Sequence, residues 1–521
     1  MSYTSAIYLA IFLPITLLAY QLTPKKHRGK ALIGASVVFF WSLSKWLIVY
    51  LAGAIIVTHY TAIGIERARE AAFDATPDEI KLRKEKSKKI LMLGIFLVLG
   101  TLVVLKYTNF TFMNISHVLR AFGSDIVYKP HRIFVPIGIS FYTLESIGYL
   151  LDVHWGKVKA IQSLEKTALF LGFFPKLMEG PICQYSDLEG TLFNNESLQF
   201  ENLKRGMLRI FWGMFKKIVI ADRLAIIVNS IYANYADYHG GMILFAAVGY
   251  TLQLYMEFSG VMDIVIGTAE LFGVKMPENF RQPFFAKNAT EFWQRWHISL
   301  GKWLKSYVFY PVSVSKTVKK WNQFGRKKIG KFWTRVGTSA LALFPVWLIN
   351  GLWHGPFWNY IFYGMYYFTL LLIEVSIEPT WKKWMKKIHV DMKAGWYRAG
   401  QTVKLLCIVF TGEMFFRAPG LGAGFTMFGN LFKDFSLAPI FNGSLEHYGL
   451  ERMDLNIVVL GIIIVFVFDL LKEKNKLSYE EFNKLALPVR WSAYYALILA
   501  VIILGAYGEG YQAIDLIYAG F

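Results

Sequence analysis

The chain has 521 residues, 55% of them hydrophobic, 17% aromatic and only 18% charged, with a mean hydropathy of +0.38. That balance excludes a disordered chain and argues against an ordinary soluble enzyme. The net charge of +20 falls in short loops between apolar runs, so positive charge kept on the cytoplasmic side explains it. Nucleic-acid binding is not expected, because no basic, aromatic-interleaved soluble domain is there to carry it.

Several apolar runs approach or exceed the ~18 to 20 residues that a spanning helix needs. Residues 5–20 are apolar and are followed by Lys25, Lys26, Arg28 and Lys30. A cleaved signal peptide has its charge before the apolar run, so this reads as a retained first helix ending in the cytoplasm. Residues 31–65 are too long for one span, and W-S-L-S-K at 41–45 splits them into a hairpin. Residues 66–89 carry both signs and read as a solvated amphipathic helix on the membrane surface. Residues 90–106 form a span, 108–129 a polar external stretch, and 133–152 a span with Ser140, Thr143 and Glu145.

Pro175, Gly180 and Pro181 interrupt the apolar run 168–182. Broken backbone at membrane depth survives only when buried in protein or lining a cavity, so a re-entrant segment is expected. Residues 203–229 interleave Lys204, Arg205, Arg209, Lys216 and Lys217 with aliphatics, which suits a helix along the cytoplasmic surface before the chain turns in. A long apolar run at 241–272, a basic cytoplasmic loop at 312–335, and spans at 336–350, 358–373, 403–416, 457–471 and 491–507 follow. The fold class is an all-α integral membrane protein of roughly ten to twelve spans. Cys183 and Cys407 make no metal-ligand pair and no disulfide framework. No zinc-protease or phosphate-loop motif occurs, so neither a metal nor ATP is expected.

Two histidines stand out in 277–355. His354 lies in G-L-W-H-G-P, preceded by Asn350 and Trp353. An ionisable group in an apolar segment is costly without a role or a partner. An imidazole suits general-base work near neutral pH, and a buried structural histidine is the alternative. His297 lies in E-F-W-Q-R-W-H-I-S-L-G-K-W-L-K, which reads as one amphipathic interfacial helix with Phe292, Trp296, Trp303 and Leu304 on one face and Arg295, Lys302 and Lys305 on the other. Glu257 and Asp263 could relay protons or orient an imidazole; the preferred reading pairs them with Arg281 or Arg295 to hold helices together. Asn350, Trp353, Trp296, Glu257 and Asp263 are the candidate supporting residues.

Taken in order, V-P-I-G-I-S-F-Y-T, G-F-F-P-K-L-M-E-G-P-I, E-F-S-G-V-M-D-I, M-P-E-N-F-R-Q-P-F, W-H-I-S-L-G-K-W-L, G-L-W-H-G-P-F-W-N-Y and G-E-M-F-F-R-A resemble the membrane-bound O-acyltransferases. The branch they resemble most is the bacterial one that serves alginate O-acetylation and teichoic acid D-alanylation. The resemblance covers nearly the whole chain. It implies a single membrane domain over 1–521, with core motifs at 131–378, C-terminal helices at 400–507 and an extracytoplasmic tail at 508–521, folded around a central tunnel. It makes His354 the catalytic histidine and His297 the second histidine near the tunnel. It also implies no bound cofactor, and a cytoplasmic thioester donor that is either acetyl-coenzyme A or an acyl carrier protein. The acceptor would be an extracytoplasmic glycan, reached directly or through a secreted acyltransferase partner, and the location the bacterial cytoplasmic membrane. D-alanyl transfer to teichoic acid is the alternative, and a transporter without chemistry is the alternative from another class. The terminal L-I-Y-A-G-F resembles an acyl-carrying motif of a small D-alanylation partner, with Leu516 replacing its first aromatic. This makes Tyr518 a candidate acyl relay; an interfacial anchor is the alternative.

Overall fold

A computed structural model of the chain describes residues 1–70 and 76–507; Tyr518 lies outside them. Among the described residues every regular element is a helix. Among the described residues eight helical stretches are long and apolar enough to cross a membrane, Lys25–Arg69 being counted once although Lys45, at φ 47°, breaks it into a hairpin. The chain is a multi-pass membrane protein. The other apolar helices of the expected ten to twelve spans, such as Tyr8–Leu22 and the 17-residue Ile139–Trp155, are shorter than that length. The described chain divides into two compact units, Met1–Ile210 with Met262–Pro277, and Phe211–Val261 with residues 278–507.

In the first unit, Arg28–Ser44 and Ile48–Arg69 form the expected hairpin. Pro77–Ala121 is one helix of 45 residues, opened by a Thr76–Glu79 capping box. The stretch from Thr108, expected as a polar connection, is helical as far as Ala121. No Gly or Pro interrupts 101–122, and the chain turns only at Gly123, φ 89°. The 168–182 segment is broken as expected: Leu164–Gly172, then Phe174–Leu177, then non-helical backbone up to Tyr185. Its freed groups are met inside the protein. Ser36 Oγ accepts from Phe174 N at 3.0 Å, Tyr3 Oη accepts from Met178 N at 3.1 Å, and Glu145 Oε1 accepts from Cys183 N at 3.0 Å. Lys176 forms a buried ion pair with Glu145. Gly138 has φ 75°, and a Cβ there would lie 1.9 Å from Leu177 O, so only glycine lets this helix start against the break.

In the second unit, a π-helical turn, Phe215–Ala221, runs into Asp222–Ala233. Lys216 and Lys217, expected on the cytoplasmic surface, are buried. Lys217 pairs with Asp222 at 2.6 Å and Glu257 at 3.2 Å, and Lys216 donates to Ser259 Oγ at 2.9 Å. Carboxylates at this depth need cations, and that need overrides the alternation read from the sequence. The basic 312–335 stretch, expected as a loop, is largely helical. Lys316–Lys328 is capped by Ser315 and turns at Gly330, φ 83°, into Gly330–His354. The two helices lock through Thr338 Oγ1 to Asn322 Oδ1 at 2.6 Å and Trp321 Nε1 to Thr334 O at 3.1 Å.

Candidate active site

His354 is the last residue of Gly330–His354, and the break that the sequence suggested is there: Gly355, at φ 154°, ends the helix ahead of Pro356. The next helix, Trp358–Lys387, folds straight back. Glycines set how closely the two helices approach. A Cβ on Gly351 would lie 2.5 Å from Tyr360 O, and one on Gly364 would lie 2.3 Å from Trp347 O. Such contact brings Tyr360 and Tyr363 of the second helix to His354, with ring centroids 6.2 and 6.0 Å away. Phe416, from Gly395–Arg417, completes an aromatic slot, meeting the imidazole at right angles with centroids 5.0 Å apart.

The slot is tied from behind. Tyr363 Oη donates to Glu413 Oε1 at 2.8 Å, and Asn359 Nδ2 donates to Phe416 O at 2.9 Å. Glu413 is buried, and its Oε2 has no hydrogen-bond partner among the described residues. Asn350 lies one turn before His354, on the same helical face. It too is buried, and its Oδ1 has no hydrogen-bond partner among the described residues.

His297 is reached differently. The single interfacial helix expected around it does not form. Ala289–Trp293 and Ile298–Leu304 are separate helices, and His297 between them has φ 47° and is buried. The reason is the preceding P-E-N-F-R segment, which docks on the break. Asn279 O accepts from Ile298 N at 2.9 Å, and Arg281 N donates to Arg295 O at 2.9 Å. The side-chain Oδ1 of Asn279 takes Ser299 N at 3.0 Å, Ser299 Oγ at 2.9 Å and His297 Nδ1 at 3.3 Å. An amide oxygen only accepts, so Nδ1 carries the proton and Nε2 keeps the lone pair. His297 lies between spans, and burial lowers its pKa to about 3, so it is neutral at physiological pH. Its ring packs edge-on to Phe258 at 4.8 Å and against Trp353 at 5.4 Å. Trp353 is also 5.0 Å from His354, so both imidazoles touch one indole.

The other candidates do not gather at His354. Trp296 stacks on Phe292 at 5.5 Å and meets Phe280 at 5.0 Å, a wall of the aromatic core beside His297. Glu257 pairs with Lys217, and Asp263, in the first unit, pairs with Arg209 at 2.9 Å. Both acids are in ion pairs, as preferred, but with partners other than Arg281 or Arg295. Arg295 itself turns inward to Glu291 at 2.7 Å and Glu473 at 2.6 Å. Sequence reasoning missed Tyr360, Tyr363, Phe416, Glu413, Asn359 and Asn279. G-E-M-F-F-R-A was visible as a motif, and a buried acid inside an apolar run was the signal available for Glu413.

Fold and site define a multi-pass membrane protein with a buried histidine at the broken end of a spanning helix. A family model of membrane-bound O-acyltransferases matches residues 159–325. A protein named "Probable alginate O-acetylase AlgI" from Azotobacter vinelandii is 31% identical over 467 residues, 89% of this chain and 84% of the relative. The peptidoglycan O-acetyltransferase of Helicobacter pylori is 26% identical over 75% of this chain and 72% of its own length. The teichoic acid D-alanyltransferase of Bacillus subtilis is 29% identical over 54% of this chain and 67% of its own length. The chain belongs to the membrane-bound O-acyltransferase family and is an O-acyltransferase.

Proposed function

We propose that the protein moves an acetyl group from a cytoplasmic thioester to a hydroxyl of an extracytoplasmic polysaccharide or cell-wall glycan, in the cytoplasmic membrane of a bacterium. The observation that carries this reading is the placement of His354, an imidazole in an aromatic slot where a spanning helix is broken by Gly355. As general base, His354 takes the acceptor proton while the hydroxyl oxygen attacks the thioester carbonyl. A new ester C–O bond forms, the C–S bond breaks, and the thiolate leaves and regains the proton from the imidazolium. A thioester is already activated, so the protein has to supply a base and hold two substrates in line. His297 assists as a neutral imidazole beside Trp353. Glu257 supports the fold of the second unit through its ion pair with Lys217, and Asp263 that of the first through its pair with Arg209.

Acetyl transfer is favoured because relatives named for O-acetylation align over more of this chain than the D-alanyltransferase does. Lys316–Lys328, with six basic and no acidic residues, suits an acidic donor on the cytoplasmic side, whether acetyl-coenzyme A or a carrier protein. Purified protein in proteoliposomes, given radiolabelled acetyl-coenzyme A or a D-alanyl carrier protein in turn, separates the two. Label passing to a soluble glycan or to a secreted acyltransferase partner from acetyl-coenzyme A alone supports acetylation; label from the carrier alone supports D-alanylation. Tyr518→Phe tests the relay: full transfer by this variant removes it, and loss of transfer with protein level kept supports it.

A further inference from the structure

The late motif G-E-M-F-F-R-A carries a cation that the reading of His354 leaves unused. Arg417 is the last residue of Gly395–Arg417, one position beyond Phe416, whose ring packs on the imidazole. Its guanidinium lies over the rings of Tyr232 and Tyr250, 5.4 and 6.0 Å from their centroids, and its Nη2 donates to Asn229 Oδ1 at 2.7 Å. Its charge also reaches Tyr360, a wall of the histidine slot. All of these groups belong to the second unit.

What Arg417 lacks is a carboxylate. A guanidinium stays charged at any working pH and carries five N–H donors. Among the described residues one hydrogen bond, to Asn229, meets them, and no ion pair does. Arg223 and Arg295 of the same unit hold Asp454 at 2.8 Å and Glu473 at 2.6 Å. Glu413 stands four residues before Arg417, the spacing at which a helix pairs opposite charges, yet it accepts from Tyr363 instead. The helix C-terminus and the two ring faces favour a cation here, but neither occupies the edge of the guanidinium, where its donors point. The side chain is half-buried, and Nε and Nη1 are not among the sealed polar atoms of the core, so a ligand can reach that edge. The charge rule says from which side. Lys393 and Arg398 flank the start of this 23-residue helix, which puts the start in the cytoplasm and Arg417 roughly 34 Å further along, at the outer end. An anion at Arg417 therefore comes from the acceptor side and not from the donor.

We propose that Arg417 holds an anionic group of the acceptor, a carboxylate or a phosphate, while a hydroxyl of the same glycan faces His354. The inference rests on the acyl-transfer reading above and makes the acceptor a charged glycan. The guanidinium fork matches either oxyanion. The test uses the full chain in nanodiscs of phosphatidylcholine, which has no net charge. Binding of a fluorescently labelled uronic-acid oligosaccharide is compared with that of its carboxyl-reduced, neutral form and of a glycerol-phosphate oligomer. At least one charged probe is expected to bind about tenfold or more tighter than the neutral one, and the tighter of the two names the group. Arg417→Gln removes that preference and leaves the weaker binding of the neutral probe in place. Arg417→Lys keeps the charge without the fork, retains part of the preference, and serves where Arg417→Gln fails to fold. His354→Gln loses transfer but keeps the preference, so a failure of the acyl-transfer reading shows in transfer and not in this comparison. Equal binding of charged and neutral probes by the wild type overturns the proposal. So does a preference that survives Arg417→Gln or is undiminished in Arg417→Lys, or an equal loss of binding for the neutral probe. Displacement of the charged probe by coenzyme A would assign the cation to the donor and overturn it as well.

Discussion

Tyr363 Oη donates to Glu413 Oε1 at 2.8 Å, and the same tyrosine ring stands at right angles to His354 with centroids 6.0 Å apart. One wall of the histidine slot is thus held by a buried acid on another helix. Tyr363→Phe deletes the donor and leaves a buried acceptor unmet, a loss of about 1–3 kcal/mol. Turnover is expected to fall about tenfold with little change in KM. Glu413→Gln keeps an acceptor for the tyrosine and retains most activity, whereas Glu413→Leu does not. Kinetics on the three variants check this; full turnover in Glu413→Leu would count against it.

His297 is predicted to stay neutral across the working pH range. Its folded-state pKa is depressed from 6.5 to about 3 by burial. As pH falls through 6.5 the unfolded chain takes up a proton that the folded chain refuses, so its contribution to stability is full above 6.5 and erodes from there down toward 3. Thermal unfolding of detergent-solubilised protein from pH 4 to 8 measures this. His297→Gln should flatten the acid-side decline and leave the acid limb of the activity profile where it was. An acid limb that moves with the substitution would assign that titration to His297.

Gly351 sits where two spanning helices almost share backbone. Gly351→Leu forces the helix of His354 away from Tyr360 and overpacks the crossing, costing about 1–3 kcal/mol or more. Reduced yield of monodisperse protein is expected, together with lost activity in what survives. Gly400 lies in a helix where a Cβ would meet nothing within 4 Å, so Gly400→Ala should be neutral or slightly stabilising. Size-exclusion profiles of the two variants give the comparison.

Much of the fold was legible because membrane constraints are local. Apolar run length located the spans, and the lysine at 45 and the prolines and glycine at 175–181 located the breaks. His354 was legible for the same reason, as an ionisable residue beside a Gly–Pro break. The environment of His297 was not. Its helical periodicity was real, but the docking of Asn279 on Ile298 and Ser299 broke the helix, and contacts across 19 and 20 residues leave no periodic trace. Lys216 and Lys217 misled in the same way: interleaved lysines look solvated until Ser259 is placed beside the first and the carboxylates of Asp222 and Glu257 beside the second. The walls of the histidine slot come from two helices whose meeting residues, Tyr363 and Glu413 or Asn359 and Phe416, lie 50 or more residues apart in the chain, and no local pattern joins them.

The most direct measurement is the acyl content of the surface glycan, read by mass spectrometry from cells carrying wild type or His354→Gln at matched membrane protein levels. General-base loss predicts a fall of about 10²- to 10⁴-fold in transfer, and so O-acylation at the level of cells lacking the gene. Wild-type acylation in the His354→Gln cells would contradict the assignment of His354 as the base.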